Sequence, residues 1–458
     1  MSRILMFGCK NPLVSVSPEE TLERDLLRAN SGNLLFNHSA YRSLAGNDVT
    51  VSDFTDVYDR PGWVNRNFDH VVLPFANAFR TGFAPRLDRF SDLIEKLRVP
   101  VTVLGVGAQS SYDLSLEPLA PLADTVTRFV RSVLERSPSV GVRGEFTARY
   151  LNSLGFSDVE VIGCPSMFIN GAELQVRTPS SLGADDPVAV TAGRRDGPWM
   201  GELLERARAE HDLVYIPQAT IDLELMLWGE PRSDEEVPGV PVHLNHPLFR
   251  EDKARFFVDT TTWVDYLTRF SFCFGSRIHG NVAALLAGTP AHVIPHDSRT
   301  LELAEYFEIP HTPASALTSS TTARDLLERS DYGPLVGNHG ERFDRFVGFL
   351  DQHALPHILR DPAATARFDQ AVAEVVFPPA VRPLTAEDPV DVASRLHRVR
   401  DRQKRQEKRL RGRIRKLEAQ LRDVDATPRP PQAAPSQPPA QAGGIRRQLA
   451  RLRARAGR

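Results

Sequence analysis

The chain has 458 residues, 41% of them apolar and 25% charged, which fits two or three water-soluble globular domains. Its three cysteines, Cys9, Cys164 and Cys273, have no paired spacing, which excludes a disulfide framework and a cysteine-rich zinc site. The net charge of −2 hides an asymmetry: residues 391–458 hold 20 Lys and Arg against 6 Asp and Glu, and the residues before them hold 36 against 52.

The N-terminal MSRILMFGCKNP reads as a first strand, not as a secretory leader, and no apolar run reaches membrane-spanning length. Both point to a cytoplasmic protein with thiols kept reduced. Apolar runs follow at Ile4–Gly8, Val49–Val51, His70–Pro74, Val101–Gly107, Val140–Val142 and Val159–Gly163, with helical patterns at Leu87–Leu97, Leu119–Leu134 and Thr147–Leu154. Strands apolar nearly throughout, separated by amphipathic helices, predict a parallel sheet covered on both faces. TPSSLGADD (Thr178–Asp186) is a break rich in turn formers. The rhythm resumes with Val188–Ala192, Leu203–Glu210, Leu213–Pro217, Trp263–Arg269, Phe270–Phe274, Ala291–Pro295 and a helix over Leu301–Phe307. The acidic, Pro-rich Gly229–Pro247 reads as a long surface loop that could serve as a lid.

The pattern predicts an α/β protein of two doubly wound Rossmann-like domains facing a cleft, over residues 1–180 and 187–378. A basic coiled-coil helix is expected over 385–425, with Leu396, Val399, Gln403, Gln406 and Leu410 continuing after a phase slip through Ile414, Leu417, Leu421 and Val424. Residues 426–458 read as a disordered Pro-rich linker and basic tail. Such an end can self-associate through residues 395–425 or touch an anionic inner membrane face, or it can simply be solvated; no nucleic acid is expected.

One stretch carries most of the chemistry: FCFGSRIHGNVAALLAGTP, from Phe272 to Pro290. A buried strand stops at Gly275 and a helix starts near His279, so Arg277 and His279 fall on the turn between them. A helix N-terminus favours anions, and a guanidinium with an imidazole turns it into a phosphate or carboxylate pocket with a proton donor.

SRIHGNVAALLAGTP followed by HDSRTLELAEYFEIP (Ser276–Pro310) is the strongest of an ordered set of segments. The others are VLGVGAQ (Val103–Gln109), VGVRGEFTARYLNSLGF (Val140–Phe156), VIGCPSMF (Val161–Phe168) and NSGNLLF (Asn30–Phe36). In this order and at these intervals the chain resembles the polysaccharide pyruvyl transferase family, over about Ile4 to Pro310. The resemblance implies a fold like that of two-domain GT-B glycosyltransferases. It also implies transfer of a pyruvyl group from phosphoenolpyruvate to two hydroxyls of a surface glycan or glycolipid precursor, as a cyclic ketal. Phosphoenolpyruvate is then a substrate, no cofactor is expected, and nothing in the sequence demands a metal.

Carried over residue by residue, the resemblance implies Arg277 and His279 as catalytic groups. Arg143, Gly280, Asn281, Gly32, Asn33, Gln109 and Glu302 would bind substrates. Arg277 and the N–H groups after His279 would hold phosphate, Arg143 the carboxylate or a phosphate oxygen, and His279 would be general acid. Without the family argument, Arg143 could as well pair with Glu145. Asp297 is expected to cap a helix, and Glu302 either binds sugar hydroxyls or orients His279. Two departures stand out: Gly32–Asn33 where many relatives have Gly-Asp, and Cys164–Pro165 where they often have Asp-Pro. Both remove an acid and leave the base for the acceptor unassigned; Cys164 reads as a packed thiol. The rival readings are a GT-B glycosyltransferase using a nucleotide sugar, and a non-catalytic assembly protein working through its coiled coil.

Overall fold

The structure, a computed structural model, describes residues 1–194, 196–229 and 237–426. Two sheets of parallel strands organise the chain up to Ala386, which holds together as one unit. The first contains β1 (Arg3–Phe7), β2 (Asp48–Ser52), β3 (His70–Pro74) and β4 (Val101–Leu104) in the order β2-β1-β3-β4. Beyond β4 lie β5 (Val140–Val142) and its parallel partner β6 (Val159–Val161). They are tied on by Val106, which donates to Gly141 O and accepts from Arg143 N. The second sheet has β7 (Pro187–Val190), β8 (Asp212–Tyr215), β9 (Phe272–Gly275) and β10 (Ala291–Val293), in the order β10-β9-β7-β8. Between the two sheets, residues 178–186 carry no regular element.

These orders decide where ligands can sit. Each sheet grows outward in both directions from its first strand. The connections therefore diverge between β1 and β3 in one sheet and between β7 and β9 in the other, and a crevice opens at the carboxyl ends of those strands.

Phenylalanines 7, 54, 75, 90 and 129 fill the outer face of the first sheet under the helices Ala84–Ile94 and Ala123–Leu134. A second core runs without interruption between the sheets: Leu35 and Phe36, then Met167 and Phe168, then Val282 and Leu285. The helix His339–Gln352 returns the chain to the first sheet, where Phe349 lies 2.8 Å from the place a Cβ on Gly141 would occupy.

The helix Gly32–Leu44 is not foreshadowed by apolar periodicity. Its buried face carries Asn37, Ser39, Arg42 and Ser43, each with a distant or local partner. Asn37 donates to Lys10 O at 2.5 Å, Ser39 to Pro165 O, and Arg42 forks onto Asp369 at 2.8 and 2.7 Å. Polar residues with tertiary partners erase the stripe that would announce such a helix.

The second half of the body runs past its expected end at residue 378. Val381 exchanges both main-chain hydrogen bonds with Phe256, and Arg382 pairs with Asp252. Part of the expected lid loop, residues 230–236, lies outside the described residues, as do residue 195 and 427–458, which hold the expected linker and basic tail. The segment from Glu387 is a second unit containing one helix, Pro389–Ala426, with Glu407–Arg411 and Asp401–His397 pairs one turn apart. Of its expected seam, the side chains of Val399, Gln403, Gln406, Leu421 and Val424 lie outside the described set. Among the described residues no helix is long and apolar enough to cross a membrane.

Candidate functional site

The turn after β9 is built by backbone crowding. Gly275 has φ +146°, and a Cβ there would stand 2.2 Å from Thr191 O. Only glycine lets β9 pass so close to β7 before the chain turns into the helix Ile278–Leu286. Arg277 is the residue before that helix and His279 its second residue; both are partly exposed.

Two residues apart, these side chains attend different groups. The Arg277 guanidinium lies over the turn after β7: a Cβ on Gly193 would stand 3.0 Å from its Nε, its Nη2 and Asp196 Oδ1. Asp196 is tied to Gly193 N and Ser276 Oγ. Among the described residues Arg277 makes no ion pair. Nearby, Gln218 Nε2 is buried without a hydrogen-bond partner.

His279 turns to the first sheet. Its Nε2 lies 3.7 Å from Cys164 Sγ, and its Nδ1 lies 2.9 Å from where a Cβ on Gly32 would be. Burial, then Arg143, then Arg299 push its pKa down to about 3. Arg143 is 2% exposed on the turn after β5, and its Nε and Nη2 have no hydrogen-bond partner. A Cβ on Gly107 would reach 3.4 Å from its Cδ, so that glycine leaves the guanidinium its room. Two unpaired nitrogens on a buried cation are costly unless an anion arrives. Arg299 carries one carboxylate, Asp297, which also caps the helix Ser298–Phe307. Burial and Arg299 together lower the proton affinity of Arg80, so Arg80 belongs to the same cationic group.

Several expected contacts resolve differently. The N–H groups of Gly280 and Asn281 both donate to Arg277 O, at 3.0 and 3.3 Å, and are spent on the helix start. They are not the phosphate clamp that was expected. Gly280 is a glycine because Thr191 and Gln218 press against it, within 2.4–2.5 Å of a Cβ position. Asn281 is fully buried and its amide donates to Gly275 O and Arg277 O, so it braces the turn instead of meeting substrate. Glu302 is also committed: its carboxylate accepts from Thr147 N at 2.6 Å and Thr147 Oγ1 at 3.0 Å, capping the helix Glu145–Ser153. Burial raises its pKa to about 7 against those hydrogen bonds and Arg143. Thr147 Oγ1 in turn accepts from Ala108 N, so Glu302 braces the walls around Arg143.

Gln109 accepts from the Asn77 amide at 2.9 Å at the edge of a cavity of about 380 Å³. Asn33 lies in that cavity's wall, its amide nitrogen held by Leu27 O at 2.9 Å. The cavity occupies the carboxyl ends of β1 and β3, and Arg28, Arg80 and Arg86 line it. Sequence reasoning missed these three arginines, and Asp196 and Gln218. The signal that flagged Gly275 was present for the last two: polar turns, AGRRDG and PQAT, directly after apolar strands.

The sequence model of the polysaccharide pyruvyl transferase family matches residues 30–298. No curated protein matches the chain. Solved structures with a similar course include a UDP-GlcNAc 2-epimerase from Methanocaldococcus jannaschii, 11% identical, covering 77% of this chain and 99% of its own, TM-score 0.37. Another is the UDP-GlcNAc 2-epimerase from Neisseria meningitidis, 10% identical, covering 82% and 100%, TM-score 0.36. A third is an uncharacterised protein from Klebsiella pneumoniae, 12% identical, covering 67% and 88%, TM-score 0.36.

Proposed function

The chain belongs to the polysaccharide pyruvyl transferase family, and from that premise we propose that it moves the pyruvyl group of phosphoenolpyruvate onto sugar hydroxyls of a surface glycan or glycolipid precursor, as a cyclic ketal. The observation that supports this most is Arg143: a buried guanidinium with two unpaired nitrogens, beside His279 and Arg299. A small donor with a phosphate and a carboxylate satisfies such a group, whereas a neutral ligand leaves it stranded.

In this reading the reaction balances without a redox partner. The methylene carbon gains a proton, a sugar hydroxyl adds to the central carbon, and a second hydroxyl closes the ketal as phosphate leaves. The two hydroxyl protons replace the one given to carbon and the one carried off by phosphate. His279 is the general acid, to the carbon or to the departing phosphate. Free, its imidazole is neutral because burial and two guanidiniums oppose a further charge. A bound donor reverses the local field and restores the proton affinity. The acid is thus armed by the substrate it serves. Arg143, Arg299 and Arg80 hold the anionic ends, with Arg277 at the neighbouring crevice.

The test uses the full chain with phosphoenolpyruvate and, separately, with nucleotide sugars, scored by thermal shift and by phosphate release with glycan acceptors. Phosphoenolpyruvate should raise Tm, and Arg143→Gln should abolish the rise. Stabilisation by nucleotide sugars alone would return the chain to the glycosyltransferase reading.

A further inference from the structure

We infer that the cavity at the carboxyl ends of β1 and β3 is the acceptor subsite, built for a sugar that carries an oxyanion, either a phosphate ester or a carboxylate. This rests on pyruvyl transfer as the function and names the class of sugar that receives the group.

The cavity stands at the divergence point of the first sheet, where a parallel α/β sheet opens a crevice. Its volume of about 380 Å³ suits a sugar ring with a substituent, and a neighbouring cavity of about 620 Å³ shares Gly8, Cys9, Arg28 and Arg86 with it. The lining has two characters. The half-buried ring of Phe83 offers apolar surface of the kind a sugar face packs on, and Asn77 Oδ1 is buried without a partner, open to a hydroxyl.

The opposite character is cationic. Arg28, Arg80 and Arg86 enter the cavity although the body as a whole has more Asp and Glu than Lys and Arg. The Arg28 guanidinium lies 4.6 Å from the Phe7 ring centre and donates one Nη to Gly8 O, while its other Nη is buried and unpartnered. Arg86 lies 5.8 Å from the same ring and 5.7 Å from that of Phe83, and makes no ion pair among the described residues. The carboxylates at hand are Asp25 and Asp53, both in the wall of the neighbouring cavity; Asp53 lies 3.9 Å from Arg28 and already accepts from Thr55 N and Oγ1. Two arginines within 6 Å of one ring centre, one of them with a buried unpartnered nitrogen, make a fork for an oxyanion.

The backbone is strained to bring this about. Arg28 and Ala29 are both left-handed, at φ +47° and +82°, where a glycine would be relaxed. The second sheet's side holds the loop in place: Ser31 N donates to Gln218 O, and Thr220 N to Ala29 O. The cavity adjoins the donor cluster: Ala76 in its wall and Arg143 both flank Gly107, where a Cβ would stand 3.2 Å from Ala76 O and 3.4 Å from Arg143 Cδ.

The experiment measures binding of glucose, glucose 1-phosphate and glucuronic acid to the full chain saturated with phosphoenolpyruvate, by calorimetry and saturation-transfer NMR. At least one charged sugar should bind ten or more times tighter than glucose, and which one separates phosphate from carboxylate. Arg86→Gln should erase that preference and leave the glucose affinity as it was, Arg86→Lys should restore part of it, and Arg28→Gln gives a second variant. Equal binding of all three sugars overturns the inference, as does a preference that survives both Gln variants. Displacement of the charged sugar by phosphoenolpyruvate overturns it too, by making the cavity part of the donor site. If phosphoenolpyruvate does not bind while charged sugars are still selected, pyruvyl transfer fails and anionic-sugar recognition stands.

Discussion

Cys164 Sγ lies 3.7 Å from His279 Nε2 and 3.0 Å from Ser166 Oγ, so the imidazole meets a fully buried thiol on one edge and Gly32, which has no side chain, on the other. In the proposed mechanism Nδ1 is then the nitrogen that serves the donor, since Nε2 meets Cys164 and the lack of a side chain at Gly32 leaves Nδ1 uncrowded. Removing the thiol should loosen the ring without touching Arg143 or Arg299. Cys164→Ala should lower kcat about tenfold with little change in phosphoenolpyruvate affinity, and Gly32→Ala should lower it further by crowding Nδ1. Steady-state kinetics with each variant checks both; an unchanged kcat for both removes the assignment of Nδ1.

His279→Ala should fold normally and lose on the order of 10²–10⁴ in rate, the usual worth of a positioned general acid. Phosphate release per enzyme, with circular dichroism to confirm folding, is the measurement. Near-normal turnover in a folded variant ends the proposed role.

Arg143→Gln should behave opposite to most buried substitutions. The wild-type guanidinium is buried with two unpaired nitrogens, so the free protein gains stability, or loses none, when the charge is removed. The same change should weaken phosphoenolpyruvate at least tenfold. Melting curves with and without the donor read both effects, and a variant that melts lower when free contradicts the argument.

Donor binding should take up a proton. The His279 pKa is about 3 in the free protein and rises when the donor's negative charges meet Arg143 and Arg299. Between the free and bound pKa values the affinity therefore weakens as pH rises. Calorimetry at pH 7 in buffers of different ionisation enthalpy should show net uptake, which His279→Gln removes. Equal heats in all buffers would deny the coupling.

A buried histidine pair far from the cleft should contribute to acid lability, alongside the buried rings of His38, His279 and His292. His70 Nε2 meets Thr102 Oγ1 at 2.8 Å, and the same hydroxyl lies 3.3 Å from His353 Nδ1, linking β3 and β4 to the returning helix. Burial pushes both pKa values down to about 4, with His70 also opposing His353. The unfolded rings titrate near 6.5, so the unfolded chain binds more protons as pH falls. Stability is full above about pH 6.5 and declines towards pH 4, by at most about 3 kcal/mol per ring. Tm should follow, and His353→Gln should flatten the slope; an unchanged slope places the acid sensitivity elsewhere.

How legible was this in the sequence? The strands were, because Val, Ile and Phe runs buried on both faces have no other use, and β1, β3, β7 and β9 fall within two residues of their expected bounds. The turn carrying Arg277 and His279 was legible for the same local reason. The helix Gly32–Leu44 was not, since its buried polar face makes sense only beside Lys10, Pro165 and Asp369. Nor was the fate of Glu302, whose partner Thr147 lies 155 residues away.

By itself the amino-acid sequence determined the α/β alternation, the parallel sheets and the strand-to-helix turn that bears the imidazole. These follow from periodicity and turn chemistry within a dozen residues. Only the tertiary structure decided that Arg143 and Cys164 attend His279 while Arg277 looks to Gly193, and that Arg28, Arg80 and Arg86 share one cavity. Charge and hydrogen bonding act through space, and no local pattern records which distant segment folding will bring within a few ångströms.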